Sequence, residues 1–189
     1  MLTEKPGEHP DGISESTPAL VEYLEQLIRK AQLNKDRHFA AGQRTRNYHI
    51  WLALPVVVIN LFISSVLFTD FIGDPEQKFI AAALSLTAAL TGGILGFFNF
   101  GKRHEGHRSI GNRYLRIIDA AELACAGFWS QVLMAGDLAA EASELGEAYG
   151  DINEEAEPFP TSNRDYGKAQ KKARQRWLEG RGPRPPHKK

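Results

Sequence analysis

The chain has 189 residues, 23 acidic and 23 basic side chains, and a single cysteine, Cys125. One cysteine excludes an internal disulfide framework and a thiolate zinc site, and the length leaves room for only one modest domain beside any membrane segment. Residues 1–16 are polar, rich in Pro, Gly, Glu and Ser, and lack the apolar core of a signal peptide. They are predicted to be disordered.

The first predicted helix occupies residues 17–47. Thr17 suits the N-cap and Pro18 the first helical position. One face carries an apolar stripe at steps of four and three, formed by Leu20, Leu24, Leu27 and Ala31. The second half of the segment is basic and short of large apolar residues. It is predicted to lie at a membrane surface or against the helix that follows the second apolar stretch.

Two apolar stretches without charged residues follow, at 51–68 and 79–100. As helices they would reach roughly 27 Å and 33 Å, and the hydrocarbon core of a bilayer is about 30 Å thick. The segment 48–101 is therefore predicted to be a transmembrane hairpin with a short acidic loop. The alternative is a buried helical hairpin in a soluble protein, but uncharged runs of this length favour the membrane.

Basic residues flank both stretches, and positive charge near membrane ends stays in the cytoplasm. Both termini are predicted to be cytoplasmic, the acidic loop to be outside, and the protein to be a multi-pass protein in contact with membrane lipid. The residues expected at the membrane interface are Arg44, Arg46, Tyr48, Trp51, Lys102, Arg103, His104 and His107.

The second apolar stretch carries small residues at four-residue intervals. Such rows let helix backbones approach closely in lipid, where packing holds helices together. The first stretch and a second copy of the chain are both candidate partners, and a homo-oligomer is expected. The candidate packing residues are Ser85, Ala89, Gly92, Gly93 and Gly96.

Polar residues inside the apolar stretches are few and regularly spaced. Polar groups within a membrane tend to face a bundle interior or a watery cavity, so they are candidates for a pore lining. The alternative is hydrogen bonding within the hairpin, including Ser and Thr bonds to their own backbone, which the lack of ionisable residues favours. The candidates are Asn60, Ser64, Thr87, Thr91 and Asn99.

A long cytoplasmic helical region is predicted over 102–150, with a break near Gly127 and Gly136. Its heptad-like apolar stripe is expected to pack on the helix of residues 17–47. The stripe consists of Ile110, Tyr114, Ile117, Ala121, Cys125, Phe128 and Val132. The HEGH sequence at 104–107 lacks the four-residue histidine spacing of zinc proteases, so no metal or other cofactor is expected.

The end of the chain divides by charge. Residues 137–157 hold eight acidic residues and no basic ones, whereas 161–189 hold ten basic residues against Asp165 and Glu179. Opposite blocks in series can pair with each other or with partners. A short helix and a basic tail are predicted within 151–189, with no specific nucleic-acid partner.

Two segments carry a resemblance to a known family: KDRHFAAGQRTRNYH before the first apolar stretch and GKRHEGHRSIGNRYLRI after the second. With the hydropathy order of residues 18–178, they resemble the SLATT domains, two-transmembrane effector domains associated with SMODS nucleotidyltransferases and SLOG sensors in bacteria. The resemblance includes a histidine, here His104 or His107, followed by Tyr114. It also includes a late proline turn and Tyr-x-x-Ala helix, formed by Pro158, Pro160, Tyr166 and Ala169.

The resemblance implies a membrane-pore effector of the bacterial inner membrane, acting in antiviral defence and triggered through a partner that makes or senses a nucleotide signal. The fold expected is an all-α membrane protein: a two-helix transmembrane hairpin, an N-terminal amphipathic helix and a long cytoplasmic C-terminal helix. A membrane-anchored scaffold that recruits partners through its long helix and charged tail is the alternative function. An enzyme is not expected, because neither paired carboxylates at the membrane face nor a Ser/His/Asp set is evident.

Overall fold

The computed structural model describes residues 16–67 and 75–180, which form five α-helices. Three predicted segments lie largely outside the described residues: the disordered segment 1–16, the acidic loop 69–78 and the basic tail. The described ends of the first two are helical, because α1 begins at Ser16 and α2 at Pro75. The helices are α1 (Ser16–Leu67), α2 (Pro75–Phe98), α3 (Phe100–Trp129), α4 (Ala135–Ala156) and α5 (Asn163–Leu178).

Helix α1 is one continuous helix of 52 residues, with Pro55 inside it. At 1.5 Å per residue it is roughly 78 Å long. The predicted N-terminal helix and the first apolar stretch therefore belong to one helix, with no break at residues 47–48. Residues 16–47 are its first half and residues 48–67 its second half. The basic middle of α1 stays helical because α3 packs along it: Ala41 and Gly42 are both buried, and small residues allow that close approach.

The first half of α1 forms a four-helix unit with α3, α4 and α5. Helix α3 packs on α1, α4 packs on both, and α5 packs on α1. The most deeply buried large residues are Leu24, Tyr114 and Leu138, one from each of the first three helices of the unit. The rest of the core comes from Val21, Leu27, Ile28, Ala31, Ile110, Ile117, Ile118, Ala121, Ala124, Ala142, Leu145 and Ile152.

The apolar stripes predicted for the first helix and for the region after the second apolar stretch both pack in this core, with one exception. Val132 is exposed, because α3 ends at Trp129 and the chain reverses before α4 begins at Ala135. Gln131 adopts φ 59°, in the left-handed region, which ends helical geometry there. The predicted break near Gly127 and Gly136 is confirmed, since it separates α3 from α4. The reversal of the chain at this break allows α4 to cover the core.

Helix α2 and the second half of α1 lie outside the four-helix unit and contact each other. Both are long and apolar enough to cross a membrane, and their most apolar segments are only 6% and 0% buried, respectively. A core helix of a soluble protein would be mostly buried, so the exposure argues against the buried-hairpin alternative. Asn99, at φ 42° and ψ 51°, separates α2 from α3 and caps α3 by accepting a hydrogen bond from the Lys102 N–H.

Candidate functional site

Helix α2 presents three different faces. A half-buried or buried stripe faces α1, with Ala81, Leu84, Ala88, Gly92 and Leu95 at steps of three and four. A second face, about 110° around the helix, is exposed and made only of small residues. This small-residue face consists of Ala82, Ser85, Ala89, Gly93 and Gly96. The third face is exposed and bulky, with Leu86, Leu90, Ile94 and Phe97.

The predicted packing residues therefore divide between two faces. Gly92 belongs to the stripe toward α1, whereas Ser85, Ala89, Gly93 and Gly96 belong to the small-residue face. A Cβ added at Gly92, Gly93 or Gly96 would meet no atom within 4 Å, so the two faces differ in exposure rather than in this space. Within the described residues, nothing occupies the space over this part of the face.

The candidate pore-lining residues are not brought together in one chain. Thr87 donates to the carbonyl of Ala83 and Thr91 to that of Thr87, each at 2.8 Å, which is the backbone bonding that the alternative interpretation predicted. By helical geometry both threonines lie on the side of the α1-facing stripe away from the small-residue face. Asn60 and Ser64 are exposed on α1, and Asn99 is a helix cap.

The residues predicted for the membrane interface form two groups. Arg46, Tyr48, Trp51, Lys102 and Arg103 are exposed near the point where the apolar segments begin.

The other three are held inside the four-helix unit. Arg44 is half-buried in an ion pair, His104 Nδ1 lies 2.9 Å from the carbonyl oxygen of Gly42, and His107 is buried. His107 was predicted at the membrane interface, but it is buried in the four-helix unit because it lies on the side of α3 that packs on α1.

His38 of α1 and His107 of α3 form a buried pair, with their Nδ1 atoms 3.2 Å apart. At this distance one ring donates and the other accepts, so the pair is held together while both rings are neutral. Burial, helped by the positive charge of His107 when protonated and of Arg37, lowers the pKa of His38 to about 4. Burial, followed by the nearby Arg44, also lowers the pKa of His107.

Two ion-pair clusters attach α5 to α1. Arg44 contacts the buried Asp165 at 2.8 Å, and Asp165 also completes a capping box with Ser162 at the start of α5. Further along, Lys172 and Arg176 contact the buried Asp36 at 3.1 Å and 2.5 Å. Two basic side chains of α5, Lys172 and Arg176, thus face α1.

A polar cavity of about 260 Å³ opens beside the histidine pair. Arg37 is part of the cavity wall. Its Nη2 donates to Thr161 Oγ1 at 2.8 Å, and its guanidinium lies 5.3 Å from the centre of the Tyr166 ring. The Tyr114 hydroxyl donates to Asn153 Oδ1 at 2.6 Å. Burial, with Tyr149 beside it, raises the pKa of Tyr114 to about 12, so this hydroxyl remains a donor. The lining is Asn34, Arg37, His38, Tyr114, Asn153, Ala156, Glu157, Phe159, Pro160 and Thr161.

The polar cluster formed by the histidine pair, Arg37, Arg44 and Asp165 was not predicted from the sequence, although part of the signal is present there. His107 precedes Ile110 by three residues and Tyr114 by seven, and His38 follows Ala31 by seven, so both histidines continue the buried stripes. Ser162 and Asp165 have the spacing of a capping box. Among residues 16–67 and 75–180, no group of three or more His, Cys, Asp or Glu side chains is arranged to hold a metal ion.

Comparisons of the chain with models of known protein families, with curated proteins and with solved structures found no match.

Proposed function

We propose that this chain is a membrane effector of the bacterial inner membrane that assembles into a homo-oligomer and opens a pore, without catalysing a reaction. The second half of α1 and α2 would cross the membrane as a hairpin, with both termini in the cytoplasm. The observation that supports assembly is the small-residue face of α2, which is exposed and unoccupied although α2 already has α1 as a neighbour.

Small residues matter here because of the solvent. In lipid, apolar helices gain little from hiding apolar surface, and association depends on close packing of backbones. The bulky face of α2 suits lipid tails, and the stripe around Ala88 suits α1. Among the three faces of α2, the small-residue face has no neighbour of matching shape in the described part of the chain, and a helix of a second copy would supply one.

Asn60 is the strongest candidate for a pore lining. Its amide carries two donors and an acceptor that need partners in a membrane. Thr87 and Thr91 already satisfy their hydroxyl donors on their own helix and can face lipid. We therefore assign the lining to Asn60 and Ser64, and assign Thr87 and Thr91 to helix surfaces away from the pore.

The four-helix unit would receive the signal. Because α1 is continuous from the unit into the apolar segment, a rotation or tilt of its first half would be transmitted to its second half. A nucleotide-making or nucleotide-sensing partner, as the SLATT resemblance suggests, would act on this unit from the cytoplasm.

A potential-sensitive dye in bacteria expressing the chain tests this function. Ala89→Leu adds bulk to the small-residue face, and Ala83→Leu makes the same change on an exposed position of the bulky side, so the two variants form a matched pair at equal membrane levels. The native chain and Ala83→Leu should depolarise the membrane, and Ala89→Leu should not. Depolarisation by all three would contradict assembly through this face.

The alternative function, a membrane-anchored scaffold, predicts a different outcome. Replacement of both apolar segments by an unrelated hairpin would leave a scaffold active. The same exchange of the hairpin would abolish the activity of a pore.

The pore lining has its own test. Asn60→Leu should reduce conductance strongly, whereas Thr91→Leu should leave it nearly unchanged. Equal effects of the two substitutions would remove Asn60 as the lining residue.

A further inference from the structure

We infer that the polar cavity beside the histidine pair is a binding site for a small soluble oxyanion, a molecule bearing a phosphate or carboxylate group. The site lies between α1, α3 and the segment that joins α4 to α5. It is independent of the proposed pore, because its evidence lies entirely in the four-helix unit.

Arg37 is the main evidence for a negatively charged ligand. Several arginines of the described chain contact a carboxylate, but within residues 16–67 and 75–180 none of the ion pairs involves Arg37. Its Nη groups donate only to neutral oxygens, those of Thr161 and Asn34. The arginines with a carboxylate partner include Arg29, Arg44, Arg113 and Arg176.

One donor of Arg37 is left unused. Its Nε atom is buried and has no hydrogen-bond partner. A buried donor without an acceptor costs free energy, and the cost is larger for a charged group. Arg37 lines the cavity, and a guanidinium suits phosphate and carboxylate groups because its donors form a planar fork. Nε itself has almost no accessible surface, so an oxyanion would reach it only after a shift of the side chain.

The rest of the lining suits an anion with an apolar or ring-bearing portion. Asn153 and Thr161 offer neutral polar groups, and Phe159 and Pro160 provide an apolar wall. Glu157 is the one carboxylate of the lining, and it is exposed, so water screens its charge. The volume lies just below the roughly 300–1,000 Å³ of pockets for drug-sized molecules, which points to a smaller ligand.

The source of the oxyanion is soluble rather than lipid. Arg37 precedes Trp51 by 14 residues on the continuous helix α1. That separation is about 21 Å along the helix axis, whereas the headgroup layer on each side of a bilayer is only about 5–8 Å deep. A lipid phosphate at the surface would not reach the cavity.

The test is a titration of the purified full chain in a phosphate-free, non-phospholipid detergent, followed by the ¹⁵N side-chain resonance of Arg37 Nε–H. Inorganic phosphate and acetate are added in turn, at constant ionic strength. We expect at least one of them to shift the Arg37 signal saturably in the low-millimolar range, with the Arg29 signal unmoved. Absence of a saturable shift with both, or an equal shift of Arg29, would overturn the proposal.

Variants provide a second readout. Arg29→Gln removes a half-buried arginine of the same helix and should keep the anion-dependent rise in melting temperature, whereas Arg37→Gln should lose it. Arg37→Lys keeps the charge without the fork and should weaken binding about tenfold, equivalent to about 1.4 kcal/mol. A lipid phosphate is tested with the chain in nanodiscs of anionic phospholipid. A shift of the Arg37 signal in these nanodiscs, with none from phosphate or acetate in detergent, would also overturn the proposal.

Discussion

The two halves of α1 belong to one helix but are specified in different ways. The first half buries an apolar stripe and carries Asp36, His38 and Arg44, each paired with a particular residue of another helix. The second half is mostly apolar and mostly exposed, and it contacts α2. The first half therefore depends on individual side-chain contacts, whereas the second depends on hydropathy, on small residues and on what surrounds it.

This difference implies that substitutions in the two regions have unequal consequences. When a substitution removes the partner of a buried group in the four-helix unit, no other group takes the place of that partner. An exposed apolar group in α2 can exchange one lipid or detergent contact for another. Four predictions compare matched positions in the protein, from the largest expected effect to the smallest.

Tyr114→Ala should cost the most. The side chain is 1% exposed and contacts residues of α1 and α4. Its removal should lower the free energy of unfolding of the four-helix unit by about 3–5 kcal/mol. Urea unfolding in detergent, followed by circular dichroism, measures this. Leu86→Ala, on the exposed face of α2, should change it by less than about 1 kcal/mol, and equal losses would contradict the comparison.

Asp165→Asn should cost about 2–3 kcal/mol, because it leaves the half-buried Arg44 without its carboxylate and weakens the cap of α5. The matched change is Glu25→Gln, which breaks the exposed Arg29–Glu25 pair. That pair should contribute no more than about 0.5 kcal/mol. The same urea experiment compares the two, and similar losses would mean that the Asp165 contact is not formed in solution.

Acid should destabilise the four-helix unit through the histidine pair. The pKa of His38 is lowered in the folded chain to about 4, from an ordinary value of 6.5. Between these values the unfolded chain binds more protons, so stability is complete above about pH 6.5 and falls as the pH drops toward 4. The loss should be on the order of 3 kcal/mol at pH 4.

Urea midpoints at several pH values measure this dependence. Buried carboxylates such as Asp165 also respond to acid, and His38→Gln separates the two contributions. Between pH 6.5 and 4 the urea midpoint of the variant should fall less steeply than that of the native chain. Parallel curves for the two proteins would show that the pair does not control the acid response.

Tyr114→Phe should have the smallest effect, about 1 kcal/mol, because it removes only the hydroxyl that donates to Asn153. Tyr48→Phe makes the same change at an exposed position and should leave stability unchanged. A difference of less than about 0.3 kcal/mol between the two would remove the Tyr114–Asn153 hydrogen bond as a determinant of the unit.

Periodicity was sufficient to predict the core of α1 and α3. Leu24, Leu27, Ile110 and Ile117 lie on stripes at steps of three and four, and all are buried. The continuity of α1 was harder to predict, because its middle contains few large apolar residues. That composition is itself a packing signal: Ala41 and Gly42 are small because α3 passes close to them, and a Cβ at Gly42 would lie 3.3 Å from the His107 Cβ.

The polar cluster shows where local patterns stop being informative. The Ser162–Asp165 capping box is local and has a recognisable spacing. The contact of Asp165 with Arg44 joins residues more than one hundred positions apart, and only the packing of α5 on α1 brings them together. Arg37 likewise looks like any basic residue of its segment until Thr161 and Tyr166 are placed beside it.

Cysteine cross-linking in native membranes tests assembly through α2 most directly. In a Cys125→Ser background, a cysteine is introduced either on the small-residue face, as Ser85→Cys, or on the bulky side, as Ala83→Cys. Assembly through the small-residue face predicts that oxidation converts the Ser85→Cys chain to a disulfide-linked dimer and leaves the Ala83→Cys chain monomeric. Efficient cross-linking at position 83 with none at 85 would contradict this interface and the pore that depends on it.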